Sequence, residues 1–305
     1  MERPKLVLAG GSGFLGRHLV RHFSQLGYAV VVLGRKARPG VVQWNGRTPG
    51  PWAAELEGAA VLINLAGKSV DCRYHAANRH AIVRSRTDST RVLGEAVAAC
   101  RTPPPVWLNA STATVYQDTP GPQPANTEAG GRLGRNFSEM VAQRWEAEFS
   151  LAPVPATRRV ALRAAIVLGA DGGALPVMAR LARFGLSTPQ GNGQQWVSWL
   201  HVVDFCRAVE FLVAHPQLEG AFNLCAPEPL PNQALMALLD AHYRPRWHLP
   251  QPRWLLEVGA FLLRTETELI LKSRKVVPDR LLAAGFQFRY PRCPAALADL
   301  LPQLT

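Results

Sequence analysis

Two hydrophobic patterns alternate along the first half of the chain. Short continuous apolar runs at 5–9, 28–33, 41–44, 59–64 and 106–110 read as buried strands. Stretches with apolar residues every three or four positions follow the first run and recur at 75–100, 137–149 and 202–214, and these read as helices. A sixth strand is expected over 159–168 and a short one over 221–224. The segment 118–134, rich in Pro, Gly, Asn and Thr, reads as a loop. From 227 onward helices dominate, broken by prolines at 227–231 and 250–252. Strands that alternate with helices imply an α/β protein, a doubly wound parallel sheet with a smaller, mainly helical C-terminal lobe. The expected division is a nucleotide-binding domain over 1–168, to which 200–225 returns, and a C-terminal substrate lobe over 169–305. Ligands of such sheets lie at the carboxyl ends of the strands.

The first junction carries the clearest chemistry. The strand Lys5-Leu6-Val7-Leu8-Ala9 runs into Gly10-Gly11-Ser12-Gly13-Phe14-Leu15-Gly16 and then into a helix. Strand, glycine turn and helix in that order form a dinucleotide site. Gly10 and Gly13 are expected to take backbone angles closed to other residues and to let a pyrophosphate reach the main chain. Gly16 lets the helix pack close, and the helix N-terminus offers free N–H groups to phosphate. The plain alternative is a glycine-rich turn that binds nothing. The second strand ends in Gly34-Arg35-Lys36. An acid there would bond the ribose hydroxyls of NAD, whereas two cations suit the 2′-phosphate of NADP. NADP(H) is therefore favoured over NAD(H), against the alternative of a polar surface loop. The turn Asn64-Leu65-Ala66-Gly67, small and glycine-containing, leaves room for the cofactor's adenosine and ribose against its backbone.

Composition narrows the classes. The 305 residues include 34 Lys+Arg against 22 Asp+Glu, a formal charge of +12. The arginines are scattered, no aromatic-and-basic module is present, and no nucleic-acid partner is expected. The 5 cysteines have no metal or Cys-x-x-Cys spacing and read as reduced thiols of a cytoplasmic protein. No metal site is expected. The first strand follows Met1 too closely for a signal peptide, and no apolar run reaches the ~20 residues of a membrane span. The best candidate, 255–263, is interrupted by Glu257.

The glycine turn, the turn Asn64-Leu65-Ala66-Gly67 and the segment Ser111-Thr112-Ala113-Thr114-Val115-Tyr116 together resemble the extended short-chain dehydrogenase/reductase superfamily. Leu162-Arg163 with Ile166-Val167-Leu168-Gly169, Gly172-Gly173-Ala174-Leu175-Pro176, and the Gly191-to-His201 stretch with Gln195, Trp196 and Trp199 resemble its atypical, NAD(P)-dependent epimerase-like branch. So does the C-terminal run from Lys275-Val276-Val277-Pro278 to Tyr290-Pro291. The resemblance covers nearly the whole chain. It implies a Rossmann domain that holds NADP(H) with Gly10, Gly13, Phe14, Leu15 and Gly16 in the cofactor turn, Arg86 approaching the phosphates and Val167 near the nicotinamide. It also implies a Ser/Thr, a Tyr, and a Lys four residues after the Tyr. Thr112 matches the first, but Phe137 and Val141 stand where the pair belongs, and neither moves a proton.

Other residues would then have to act, and Tyr116 and Thr112 are the catalytic candidates. The alternative for Tyr116 is a packed phenol bonded to its neighbours. Arg163, Gln195 and Trp199 are candidates for substrate contact, with an ion pair for Arg163 and a core position for Trp199 as alternatives. His201 reads as structural and Asp204 as a solvated first-turn or capping residue. Two functional readings follow: an NADP-dependent oxidoreductase or epimerase-like enzyme acting on an unknown carbonyl or sugar-like small molecule, and a non-catalytic NADP(H) sensor or partner-binding protein. Relatives of the class commonly pair through helices beside the fifth strand, which leaves a homodimer open.

Overall fold

The apolar runs form the strands β1 (Lys5–Ala9), β2 (Ala29–Gly34), β3 (Val41–Gln43), β4 (Val61–Asn64), β5 (Val106–Thr112) and β6 (Arg158–Ala164) in a computed structural model that describes residues 3–251 and 271–304. Shorter strands follow: β7 (Ile166–Gly169), β8 (Gly172–Gly173), β9 (Trp196–Val197), β10 (Trp199–His201), β11 (Gly220–Leu224) and β12 (Leu230–Pro231). The helices are α1 (Phe14–Gln25), α2 (Ala76–Ala98), α3 (Phe137–Ser150), α4 (Leu175–Arg183), α5 (Val202–Ala214), α6 (Asn232–Tyr243), α7 (Asp279–Ala283) and α8 (Cys293–Leu300).

Seven strands pair in the order β11-β6-β5-β4-β1-β2-β3, all parallel. Both faces of this sheet are covered, which is why its central strands carry continuous apolar runs rather than an alternating pattern. Leu6 and Leu8 of β1 face a core shared with α1 and α5, while Val7 and Ala9 face one shared with α2 and Trp107. The chain order reverses between β1 and β4, so the crevice opens there, above the carboxyl ends of both strands.

The strand expected over 159–168 is two strands in two sheets. After Ala164 the chain leaves the large sheet: Ala165 donates its N–H to the Leu224 carbonyl and Ile166 donates to that of Ser198. β7 then pairs with β10 and β8 in a small sheet. The apolar residues Val160 to Leu162 and Ile166 to Leu168 flank the break, and between them only Arg163, half-buried, interrupts the run. The smaller part of the molecule packs α4, α6 and α8 around Trp199, Leu235 and Leu297. A strap at 272–277 ties it back: Asn126 accepts and donates along Lys275 and Val277, and Ser198 bonds the main chain of Arg274 and Val276. Among the described residues no helix is long and apolar enough to cross a membrane. The apolar run 255–263 lies outside them.

Candidate functional site

The turn between β1 and α1 is built on Gly10. Its φ is +80°, and a Cβ there would lie 2.9 Å from the Leu65 carbonyl carbon. The turn after β4 therefore rests directly on the turn after β1. Gly16 is equally constrained, since a Cβ would stand 2.5 Å from the Cα of Gly11. Gly13 departs from the expectation. It caps α1 in an extended conformation (φ −76°, ψ 176°) open to any residue, and a Cβ would meet only the Gly10 carbonyl oxygen at 3.6 Å. Its small size matters toward the crevice, where it leaves the first N–H groups of α1 accessible. That helix has neither an acidic residue in its first turn nor a side-chain cap, so its positive end is unspent.

Phe14 and Leu15 turn away from the crevice. The Phe14 ring fills the space that a Cβ at Gly169 or Gly172 would occupy, so it wedges α1 against the β7–β8 hairpin. Leu15 packs on the core beneath α1.

A cleft of about 1280 Å³ runs from Gly10 and Gly13 past Arg35 to the turn Leu65-Ala66-Gly67. Arg35 lines it, whereas the exposed Lys36 does not. Its outer wall comes from a segment that sequence reasoning missed, Trp44 to Glu55, with Trp44 and Trp52 in an edge-to-face pair 5.3 Å apart. The signal was present as Asn45-Gly46-Arg47-Thr48-Pro49-Gly50, a turn-rich string directly after a strand. Ser85 and Ser89 of α2 close the cleft from below. Asn64 does not face it. Its buried amide donates to Asn109 Oδ1 at 2.7 Å and accepts from the Ala66 N–H at 3.0 Å, so it shapes the turn.

Arg86 lies under that turn. Its guanidinium donates to the carbonyls of Lys68 and Ile82 and stands 5.1 Å from the Trp145 ring. Burial without a carboxylate partner pulls its pKa down to about 10. A Cβ at Gly67 would sit 3.2 Å from the guanidinium carbon, so the cation presses on the floor of the cleft.

The catalytic candidates separate. Thr112 ends β5, half-buried, and its hydroxyl accepts the Thr114 N–H at 3.1 Å and lies 3.1 Å from the Thr114 hydroxyl. Tyr116 is interior, 1% exposed. Its hydroxyl donates to Asn223 Oδ1 and accepts from Arg163, both at 2.8 Å. Burial pushes the phenol's pKa up against the opposing pull of Arg163. A tyrosine with both hydrogen-bonding capacities spent inside the protein is not placed to exchange a proton with a ligand. Arg163 is likewise committed: its fork meets the Glu146 carboxylate at 2.8 and 2.7 Å. Burial works against its charge, but Glu146 holds the guanidinium above the usual arginine range. Ser111 donates to the same carboxylate. The network stitches β5, β6, β11 and α3.

The other substrate candidates are also internal. Trp199 is 0% exposed in the core of the smaller part, its indole N–H donating to the Glu228 carbonyl. Gln195 is buried and donates to the Gln190 carbonyl at 3.0 Å. Val167 sits in the main core. His201 caps α5 by accepting the Val203 N–H, in keeping with a structural role. Asp204 is not solvated: fully buried, it accepts the N–H groups of Arg289 and Tyr290 at 2.8 Å.

Phe137 opens α3, against Tyr74 at 5.0 Å and under Arg79, and Val141 is buried one turn on. The charges near this helix start belong instead to Glu139 and Lys272, which form a buried ion pair. Lys272 comes from the far end of the chain and lies 3.5 Å from the Thr114 carbonyl. A contact 133 residues apart leaves no local trace in the sequence.

Residues 6–225 match the NAD dependent epimerase/dehydratase family, and residues 251–300 match a domain of unknown function, DUF1731. The chain is 28% identical over 300 residues to the epimerase family protein SDR39U1 of Homo sapiens, covering 97% of this chain and 99% of that one. It is 30% identical over 303 residues to the epimerase family protein YfhF of Bacillus subtilis, covering 97% of each. The structure superposes on that of human SDR39U1 (isoform2) with NADPH with a TM-score of 0.88 at 27% identity, covering 98% of this chain and 99% of the other. It superposes on MoeE5 in complex with UDP-glucose and NAD with a TM-score of 0.76 at 19% identity, covering 98% of each chain, a likeness of fold. With the glycine turn, the strand order and more than half the chain matched, this protein belongs to the NAD dependent epimerase/dehydratase family.

Proposed function

We propose that this protein binds NADP(H) in the cleft over β1 and β4 and works as an oxidoreductase or epimerase-like protein on a small carbonyl or sugar-like substrate. The observation that carries the reading is the Gly10 cradle opening onto a cleft with Arg35 at the end of β2. The NADPH in the human SDR39U1 structure supports the same choice of cofactor. The residues present fit the group. The free N–H groups at the start of α1 bind its pyrophosphate, Leu65 to Gly67 lie along the adenosine and ribose, and Arg86 lends positive charge from beneath. When bound, the cofactor supplies hydride transfer at its nicotinamide. Thr112, at the carboxyl end of β5, is the side chain assigned in this reading to orient a substrate oxygen. Tyr116 and Arg163 hold the strands beneath it.

Thermal-shift titration tests the cofactor. A ligand that binds the native state raises its stability in proportion to the logarithm of concentration over Kd. A clear rise with NADPH and little with NADH supports the reading, the reverse removes it, and no rise with either leaves the glycine turn purely structural.

A second reading, a non-catalytic NADP(H) sensor, is favoured by Phe137, Val141 and the enclosure of Tyr116, which leave no free phenol at the usual place. A sensor holds NADPH tightly and consumes none across a panel of carbonyl compounds. Steady consumption with any of them, slowed by Thr112→Val, decides for the enzyme.

A further inference from the structure

Arg47 lines the cleft and has no role in the cofactor reading above. β2 and β3 run parallel with Gly34 opposite Gln43, and the Trp44 N–H donates to the Gly34 carbonyl at 3.0 Å. Arg35 and the loop after β3 therefore leave the sheet side by side, on the same edge and into the same cleft. The loop is held at both ends of its turn. Asn45 Oδ1 accepts the N–H groups of Arg47 (2.8 Å) and Thr48 (3.0 Å), and Asn45 Nδ2 donates to the Thr48 hydroxyl at 2.7 Å. Arg91 of α2, paired with Glu95, donates to the Arg47 carbonyl at 2.9 Å. The main chain of Arg47 is thus fixed, while its guanidinium and that of Arg35 have no ion-pair partner among the described residues. Beneath them Trp44 and Trp52, nearly buried and packed edge to face in the core, anchor the loop at the wall of the cleft. The cleft holds a single carboxylate, Glu55, against Arg35, Arg47 and Lys68.

We propose that Arg47, with Arg35, forms a two-arginine clamp for the 2′-phosphate of a 2′-phosphorylated adenosine ligand, and that Arg47 rather than Lys36 is the second determinant of the preference. The proposal rests on the cofactor reading above and names the residues that would give it specificity. Two planar guanidinia on a pinned loop and a strand end suit a phosphate dianion, because each offers paired, charge-assisted donors in a fixed planar fork.

The test uses the intrinsic fluorescence of the full chain, with Trp44 and Trp52 as reporters, titrated with NADPH, NADH, 2′,5′-ADP and 5′-ADP at two salt concentrations. Wild type is expected to bind NADPH and 2′,5′-ADP more tightly, with the difference shrinking at high salt. Arg47→Ala is expected to weaken those two at least tenfold while changing NADH and 5′-ADP by less than twofold. Arg47→Lys restores part of the loss, and Lys36→Ala changes neither pair. Equal losses for all four ligands, or none, in an Arg47→Ala protein of unchanged melting temperature overturns the clamp and leaves the cofactor reading standing. A wild type that binds none of the four, or prefers NADH, overturns the cofactor reading itself, and the clamp with it.

Discussion

Gly10 is where a single side-chain atom separates a working turn from a broken one. Its positive φ and the backbone of Leu65 within 2.9 Å of any Cβ act together. Gly10→Ala is expected to cost about 1–3 kcal/mol in chemical denaturation and to abolish NADPH and NADH binding alike. Tyr116→Phe makes the opposite expectation at the same scale. The lost hydroxyl leaves Asn223 Oδ1 and one Arg163 N–H unpaired in the interior, about 1–3 kcal/mol of stability, while cofactor binding stays within twofold of wild type. A large loss of binding in a stable Tyr116→Phe protein would return that phenol to the site. Both roles turn on the backbone and side-chain partners that only the fold supplies.

At the scale of elements, α1 is fixed to the β7–β8 hairpin by Phe14 and by Asp171, which accepts from His18 at 2.7 Å and from Arg17. Partial burial raises the Asp171 pKa, but the hydrogen bond and charge of His18 and the hydrogen bond of Arg17 outweigh it, so the carboxyl sits below its usual 3.8. A depressed carboxyl adds stability that is complete above its unfolded value and disappears as pH falls through its folded one. The stability gap between wild type and Asp171→Asn is therefore expected to close as the pH drops through and below 3.8, read from urea midpoints at each pH. A gap that persists at pH 2 would show that packing, not charge, holds the hairpin. The strands and helices themselves were legible, because burial on both faces of the sheet writes continuous apolar runs and glycine punctuates them. The division of 159–168 was not, since which sheet a buried strand joins depends on hydrogen-bond partners at Leu224 and Ser198, far along the chain.

Across the whole molecule, the strap at 272–277 joins the two parts through the buried Glu139–Lys272 pair. Removing one member strands the other. Lys272→Met is expected to cost about 3–5 kcal/mol, and the double variant Lys272→Met/Glu139→Gln less than Lys272→Met alone, in a double-mutant cycle. Additive effects would mean that the pair is not coupled.

The sequence by itself determined what short-range physics controls: a glycine that must turn, strands that must be buried, a helix start without acid, an arginine at the end of β2. Tertiary structure alone decided which polar groups meet the cleft. For Tyr116, Arg163 and Trp199 the sequence left a site role and a packing role both open, and they are interior, because their partners Asn223, Glu146 and Glu228 lie 107, 17 and 29 residues away. Arg47 looked like one surface arginine among many and faces the cleft, because β3 pairs with β2 in a register that sets its loop beside Arg35.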